Sequence, residues 1–272
     1  MKNIKDMVVV VRGGGDIATG SIQKLYRTGF KVLILEIDRP SAIRRKVAFC
    51  EAVYDNVVEV ENIVCRRCSC MDEIEKCWSE NEIPLAVDPD GEYIDLMKPD
   101  AVIDAILAKK NMGTKIKMAP IVIGLGPGFD AGVNCHIAIE TMRGHNLGRL
   151  IFKGPTMKNT GVPGIIKGIG KERVIYSPIA GIIKNIKDIG DIVAKDEVLA
   201  TIDDVPVRAT ISGVLRGIIR DGYEVSEKFK IADIDPRIEE QQNCYTISDK
   251  ARAVGGATLE AVLYLINNLS KE

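Results

Sequence analysis

The chain has no excess of charge of either sign: 37 Lys and Arg stand against 38 Asp and Glu, for a formal net charge of -1. A mixed, nearly neutral surface offers no phosphate-backbone footprint, so nucleic acid is not expected as a partner. Long hydrophobic runs are also missing. The valine run near the N-terminus meets Arg12 after a few apolar residues, far short of a membrane span or a signal peptide. No membrane association and a cytoplasmic location are the expectation. Histidine is scarce, with His136 and His145 the whole supply. The seven cysteines are odd in number, and 272 residues with 46% hydrophobic content are ample for a core without disulfides. Reduced thiols are expected.

What the sequence does contain is a strand, glycine turn, helix, strand and acid in succession. Val8-Val9-Val10-Val11 precedes Arg12-Gly13-Gly14-Gly15-Asp16-Ile17-Ala18, and Val32-Leu33-Ile34-Leu35 ends at Glu36. Gly13 permits a sharp turn, Gly15 lets backbone approach a phosphate, and Ala18 lets the helix lie against the strand. Unpaired N–H groups of Gly14, Gly15, Asp16 and Ile17 at the helix start would face an anion. Glu36 falls about twenty residues after the glycines, where a carboxylate meets ribose hydroxyls. The alternative is a tight strand-to-helix turn without a ligand.

Further along, Pro40-Ser41-Ala42-Ile43-Arg44-Arg45 reads as a short helix before an extended piece at 57–60. Residues 71–78 show helical spacing, and apolar strands follow at 85–88, 99–106 and 120–124. Alternating strands and helices with near-continuous apolar strands predict a mostly parallel sheet. The last of these strands enters Gly124-Leu125-Gly126-Pro127-Gly128-Phe129, a second glycine turn at a strand's carboxyl end, whose amides suit an anion nest. Lys109, Lys110, Asn111 and Thr114 would face the same crevice. Arg143, His145 and Arg149 lie among glycines at 141–149 and suit an anionic ligand or a general acid. Cys135 and His136 read as neighbours on opposite faces of a strand.

From Tyr176 to Asp235 the chain repeats with an offset of 32: Gly181 matches Gly213, Ile183 matches Leu215, Gly190 matches Gly222, and Val193 matches Val225. Two equal halves of short strands predict a small duplicated β-domain. Ser177-Pro178-Ile179-Ala180-Gly181 followed by Gly190-Asp191-Ile192-Val193 resembles the biotinyl/lipoyl barrel-sandwich family. Carrier function in that family depends on a hairpin lysine. The corresponding joint, residues 201–210, contains none, so no biotin or lipoate attachment is expected.

Cys65-Arg66-Arg67-Cys68-Ser69-Cys70 with Cys77 is a dense sulfur cluster of the kind that can close a zinc or iron-sulfur site. The two arginines would lower thiol pKa values. The spacing matches no standard zinc knuckle, and no metal site is assigned. Ile247, Ala251, Val254, Thr258, Ala261, Val262, Leu265 and Leu269 form an apolar stripe at helical spacing behind a Ser248 cap. Gly255 and Gly256 inside that helix require close packing or a ligand. The expected architecture is α/β: a Rossmann-like nucleotide-binding domain at 1–170, a barrel-sandwich domain at 171–236, and a C-terminal helix at 237–272 that returns to the first domain.

Residues 11–20, 42–49, 104–111, 124–129, 143–149 and 246–253 together resemble the YqeB family, named for the selenium-dependent molybdenum hydroxylase system. The resemblance implies an accessory or maturation role toward a molybdenum hydroxylase and carries over no catalytic residue. Joined to the glycine turns, it suggests a protein that binds NAD(P) or a molybdopterin dinucleotide, with Arg143, His145 and Arg149 at the ligand's anionic end. The alternative is an NAD(P)-dependent oxidoreductase using His145 or Lys109 as proton donor.

Overall fold

The computed structural model describes residues 2–161, 164 and 167–269. The chain divides into two compact units, one of Met1–Pro40, Ala48–Asn159 and Ile247–Glu272, the other of Ser41–Val47 and Thr160–Thr246.

In the first unit the β-branched valines favour extended backbone and form β1 (Val8–Arg12). It is followed by α1 (Asp16–Arg27) and β2 (Lys31–Glu36). Then come α2 (Ala52–Asp55), the hairpin β3 (Val57–Val60) and β4 (Ile63–Cys68), α3 (Met71–Ser79), β5 (Ile83–Val87), α4 (Glu92–Met97) and β6 (Ala101–Asp104). Strands β7 (Ile121–Leu125), β8 (Asp130–Ala131), β9 (Ile137–Ile139), β10 (Leu150–Ile151) and β11 (Gly154–Pro155) complete it. Nine of these form one sheet in the order β10-β9-β7-β6-β1-β2-β5-β4-β3. Pairing is parallel throughout, except that β3 and β10 add antiparallel edges. Val9, Val10, Leu33, Ile34, Val102, Ile103, Val122 and Ile123 are fully buried, as strands covered on both faces require. The chain steps from β2 and β5 back across β1 to β6, so the order reverses between β1 and β6. Crevices of parallel sheets open at that point, beyond the carboxyl ends of the strands.

Two local expectations shift. The helix expected at 42–45 is replaced by 3-10 turns at Arg45–Val47 and Phe49–Glu51, leading into α2. The strand expected around Cys135 and His136 begins only at Ile137. His136 Nδ1 accepts from the Val122 N–H at 2.9 Å, and burial lowers its pKa.

The second unit contains β12 (Val174–Tyr176), β13 (Gly181–Asn185), β14 (Ile192–Val193), β15 (Val198–Ile202), β16 (Val205–Arg208), β17 (Gly213–Ile218), β18 (Glu224–Val225) and β19 (Lys230–Asp235). They form two antiparallel four-stranded sheets, β12-β19-β17-β14 and β16-β15-β13-β18. The 32-residue repeat is visible in the pairing: β13 joins β15 and β18, while β17 joins β19 and β14. Each half therefore lends a short strand to the other. Ile183, Leu199, Ile202, Leu215, Ile231 and Ile234 form its fully buried core.

The terminal helix, α5 (Asp249–Leu269), belongs to the first unit. Ser248 Oγ accepts from the Ala251 N–H at 3.1 Å, and Ala251, Val254, Thr258, Ala261 and Val262 are fully buried. The side chain of Leu269 and residues 270–272 lie outside the described residues. α5 packs on α1 through glycines: a Cβ on Gly20 would lie well inside 3.0 Å of Ala251 O, and one on Gly255 as close to Gly20 O. Gly256 faces open space. Among the described residues no helix is long and apolar enough to cross a membrane.

Candidate functional site

Arg12 ends β1, and Gly13, at φ +92°, turns the chain toward α1. The Gly13 N–H donates to Leu35 O at 2.8 Å. No side chain fits at Gly13, because a Cβ would meet the backbone of Ala105 and Ile106 at 2.9–3.0 Å. Gly14 is equally constrained by Cys50, whose N–H donates to Gly14 O at 2.9 Å. Gly15 differs from both. Its φ of -63° is open to any residue, and on its Cβ side no heavy atom beyond its chain neighbours lies within 4 Å among the described residues. It caps α1, whose first turn starts with Asp16 and Ile17.

Glu36 ends β2 with its carboxylate turned to this bend: Oε1 accepts from the Gly14 N–H at 2.7 Å and Oε2 from the Ile37 N–H at 2.9 Å. The Gly14 amide is thereby used by the protein itself and is not left for an anion. Burial raises the Glu36 pKa, against the lowering effect of those two N–H bonds. The bend is sewn to the segment after it: Thr19 Oγ1 donates to Gly15 O at 2.9 Å and accepts from the Phe49 N–H at 3.1 Å. Cys50, packed there, is pushed well up by burial and by Glu36, Glu51 and Asp16, which makes it an inert thiol.

Across the strand-order reversal lies a buried polar group not anticipated from sequence. Arg12 Nη1 donates to Thr114 Oγ1 at 2.6 Å, the Thr114 hydroxyl donates to Asp104 Oδ2 at 2.5 Å, and Arg12 lies 3.5 Å from the same carboxylate. Burial raises the Asp104 pKa, partly offset by Thr114 and Arg12. The signal was present: Arg12 and Asp104 are charged residues interrupting apolar strands, and the parallel register sets them side by side. Their link ties both ends of the 105–114 segment to the crevice.

Gly126 and Gly128 leave the carboxyl end of β7, two strands from β1, with that segment between. A Cβ on Gly128 would collide with the backbone of Lys110 and Asn111. The Gly126 N–H donates to Ile139 O at 2.9 Å, and Gly126 O accepts from Thr156 Oγ1 at 2.7 Å. The second glycine turn is thus filled by its own chain. Arg143 and His145 follow β9, three strands from β1, or about 14 Å along the sheet at the usual strand spacing. Arg143 pairs in bidentate fashion with Asp249 at 2.8 and 2.9 Å, and His145 is exposed. The structure therefore groups Gly13, Gly14, Gly15, Asp16, Ile17 and Glu36 at one bend, places Gly126 and Gly128 beyond the 105–114 segment, and sets Arg143 and His145 apart from them.

In the cysteine segment the expected lowering of thiol pKa values by the two arginines does not occur. Arg66 is paired with Glu82, at 2.5 and 2.9 Å, and Arg67 donates to Val53 O; the Arg66 charge lowers Cys77, but burial outweighs it and the Cys77 pKa is raised. Burial, with the Cys77 neighbour, pushes Cys68 up to about 12. Among the described residues no group of three or more His, Cys, Asp or Glu side chains is arranged to hold a metal ion.

A parallel sheet with a glycine turn and an acid-tipped second strand at its point of order reversal makes the first unit a Rossmann-like α/β unit. Over 260 residues, 96% of its length, the chain is 46% identical to the Escherichia coli (strain K12) protein called "Uncharacterized protein YqeB". It spans about half of that relative, 48%. No family model matches the chain. Among solved structures, it resembles the E. coli tRNA N6-threonylcarbamoyladenosine dehydratase TcdA at 12% identity, covering 99% of this chain and 90% of that one, with a TM-score of 0.33. It also resembles the Ruegeria pomeroyi ectoine utilization protein EutE (DoeB) at 11% identity, covering 83% and 56%, with a TM-score of 0.23.

Proposed function

We propose that the bend at residues 13–17 binds a dinucleotide-type ligand, NAD(P) or a molybdopterin dinucleotide, within a cytoplasmic accessory protein of a selenium-dependent molybdenum hydroxylase system. The observation that carries the binding half is the Glu36 carboxylate held against the glycine turn, 2.7 Å from the Gly14 amide, beside the open space at Gly15. A ribose seated on Glu36 would direct its diphosphate toward Gly15 and the first-turn amides of Asp16 and Ile17, where the helix dipole favours an anion. The donor set fits a diphosphate at Gly15 and less well at Asp16, whose own carboxylate opposes one. When bound, a nicotinamide ligand would supply hydride chemistry and a molybdopterin ligand a metal-binding dithiolene; the chain's share is to hold the shared diphosphate and sugar.

The accessory role is supported by the motifs shared with the YqeB family and by the 46% identity to its E. coli member. The second unit, a barrel-sandwich in this reading, acts as a docking element for the hydroxylase. Its β15–β16 hairpin turns at Asp203-Asp204, with φ of +42° and +69°, and offers no lysine for acylation. Calorimetric titration of the full chain with NAD, NADP, CMP and CTP tests the reading. Saturable binding of at least one, weakened in Glu36→Gln, is expected. Binding to none of them overturns it, and substrate-dependent NAD(P)H formation would favour the oxidoreductase instead.

A further inference from the structure

The sulfur cluster contains one pair the nucleotide reading does not use. Cys68, the last residue of β4, and Cys77, on the second turn of α3, place their sulfurs 3.4 Å apart, and both residues are buried. Cys68 is held in register by Ala86 of β5, and Cys77 by a helix whose first turn is tied down through Glu73, which accepts from the Ser69 N–H at 2.6 Å. Two thiols in van der Waals contact on two anchored elements need only about 1.4 Å of approach to reach the disulfide bond length of roughly 2.05 Å. We propose that Cys68 and Cys77 form a reversible intramolecular disulfide, making this edge of the sheet an oxidation site for small hydroperoxides.

The chemistry balances with hydrogen peroxide as oxidant. One thiol of the pair attacks a peroxide oxygen, the O–O bond breaks, and a sulfenic acid and water result. The second sulfur then displaces the sulfenic hydroxyl, which leaves as a second water with that thiol's proton. The two thiols lose two electrons and the peroxide gains them. At rest both thiols are held protonated, Cys68 pushed up to about 12 chiefly by burial and by Cys77, and Cys77 raised chiefly by burial, with Glu82 and Glu80 adding to it and the Cys68 hydrogen bond and Arg66 opposing it. The buried pair is therefore slow toward bulky thiol reagents and, as protonated thiols, slow in the first attack on peroxide as well; what the geometry supplies is a second sulfur that meets the sulfenic product at once. Cys70 differs: it is exposed at the N-cap of α3. Cys65 is buried on β4, three residues before Cys68.

Trypsin reads the pairing, because cleavage after Arg67 and Lys76 puts Cys68 and Cys70 on one peptide and Cys77 on the next. The full chain is treated with near-stoichiometric hydrogen peroxide, alkylated and digested without reduction. The expected result is a covalent link between these two peptides in the wild type and equally in Cys70→Ser, absent in Cys77→Ser, and broken by dithiothreitol. The fluorescence of Trp78, beside Cys77, should fall as the link forms and recover on reduction. Loss of the link in Cys70→Ser, or oxidation confined to Cys70 as sulfinic acid or as intermolecular dimers, overturns the proposal. If Cys77→Ser does not fold, the wild type and Cys70→Ser decide it without that variant.

Discussion

Gly255 and Gly256 are adjacent in α5, yet alanine should have opposite effects at the two. In a helix interior alanine is favoured over glycine by about 1 kcal/mol at either position. Gly256 is exposed, and among the described residues nothing outside its own helix turn lies within 4 Å of its Cβ position, so Gly256→Ala should keep that whole gain. At Gly255 the new methyl would lie well under 3.0 Å from Gly20 O and at 3.0 Å from Ser21 N, backbone atoms that have no rotamer to yield. Restoring ordinary contact at 3.4–4 Å requires α1 and α5 to part by about 1 Å along a seam that buries Ile22, Ala251, Val254 and Thr258. Overpacking of this kind costs roughly 1–3 kcal/mol, and parting the seam adds lost contacts. The two variants should then differ by about 2–4 kcal/mol, with wild type between them. Thermal unfolding followed by far-UV circular dichroism reads this as a Tm order of Gly256→Ala, wild type, Gly255→Ala, with roughly 2–4 °C per kcal/mol. Equal Tm values for both variants would refute the close crossing.

Glu36 should show stability and binding moving in opposite directions. Its folded pKa is raised by burial, so its contribution to stability is fully present below the ordinary glutamate value and lost as pH rises through the folded value. Glu36→Gln should therefore raise Tm at pH 7, with the gain shrinking toward pH 4, while lowering nucleotide affinity about tenfold or more as a charged hydrogen bond of roughly 1.5–3 kcal/mol is lost. Thr114→Val keeps the side-chain shape but removes the hydroxyl that bridges Arg12 and Asp104, both buried, and should cost about 1–3 kcal/mol in urea unfolding. Asp16→Asn should weaken the helix by about 0.3–1 kcal/mol and, by removing a like charge, tighten dinucleotide binding about twofold to fivefold in calorimetry.

Much of the fold was legible because it rests on local chemistry. The valine run, the helical spacing of 71–78 and the apolar stripe of α5 each encode their element within a few residues. The paired glycines of the 32-residue repeat mark equivalent strands in both halves of the second unit. The geometry of the candidate site was legible where it too is local, in the turn from Gly13 to Ile17 and the strand-end position of Glu36. What was hidden depends on contacts distant in sequence. Gly255 meets Gly20, Thr114 joins Arg12 to Asp104, and Asp249 takes up the Arg143 that residue type alone pointed toward an anion. Arg66 was misread for the same reason, since nothing adjacent to it reveals Glu82 as its partner. The grouping of Ser41–Val47 with residues 160–246 is likewise set by long-range bonds, such as Arg44 to Asn243 O and Arg45 to Ile218 O.

The open space at Gly15 provides the most direct test of the binding account. At φ -63° and ψ 176° the backbone accepts a side chain, and among the described residues no heavy atom beyond its chain neighbours lies within 4 Å of the Cβ position, so Gly15→Val should fold with a Tm close to wild type. If that space receives a diphosphate, the valine occupies its seat, and titration with the nucleotide that binds wild type should show no measurable heat. A folded Gly15→Val protein that binds the same nucleotide with unchanged affinity would contradict the account.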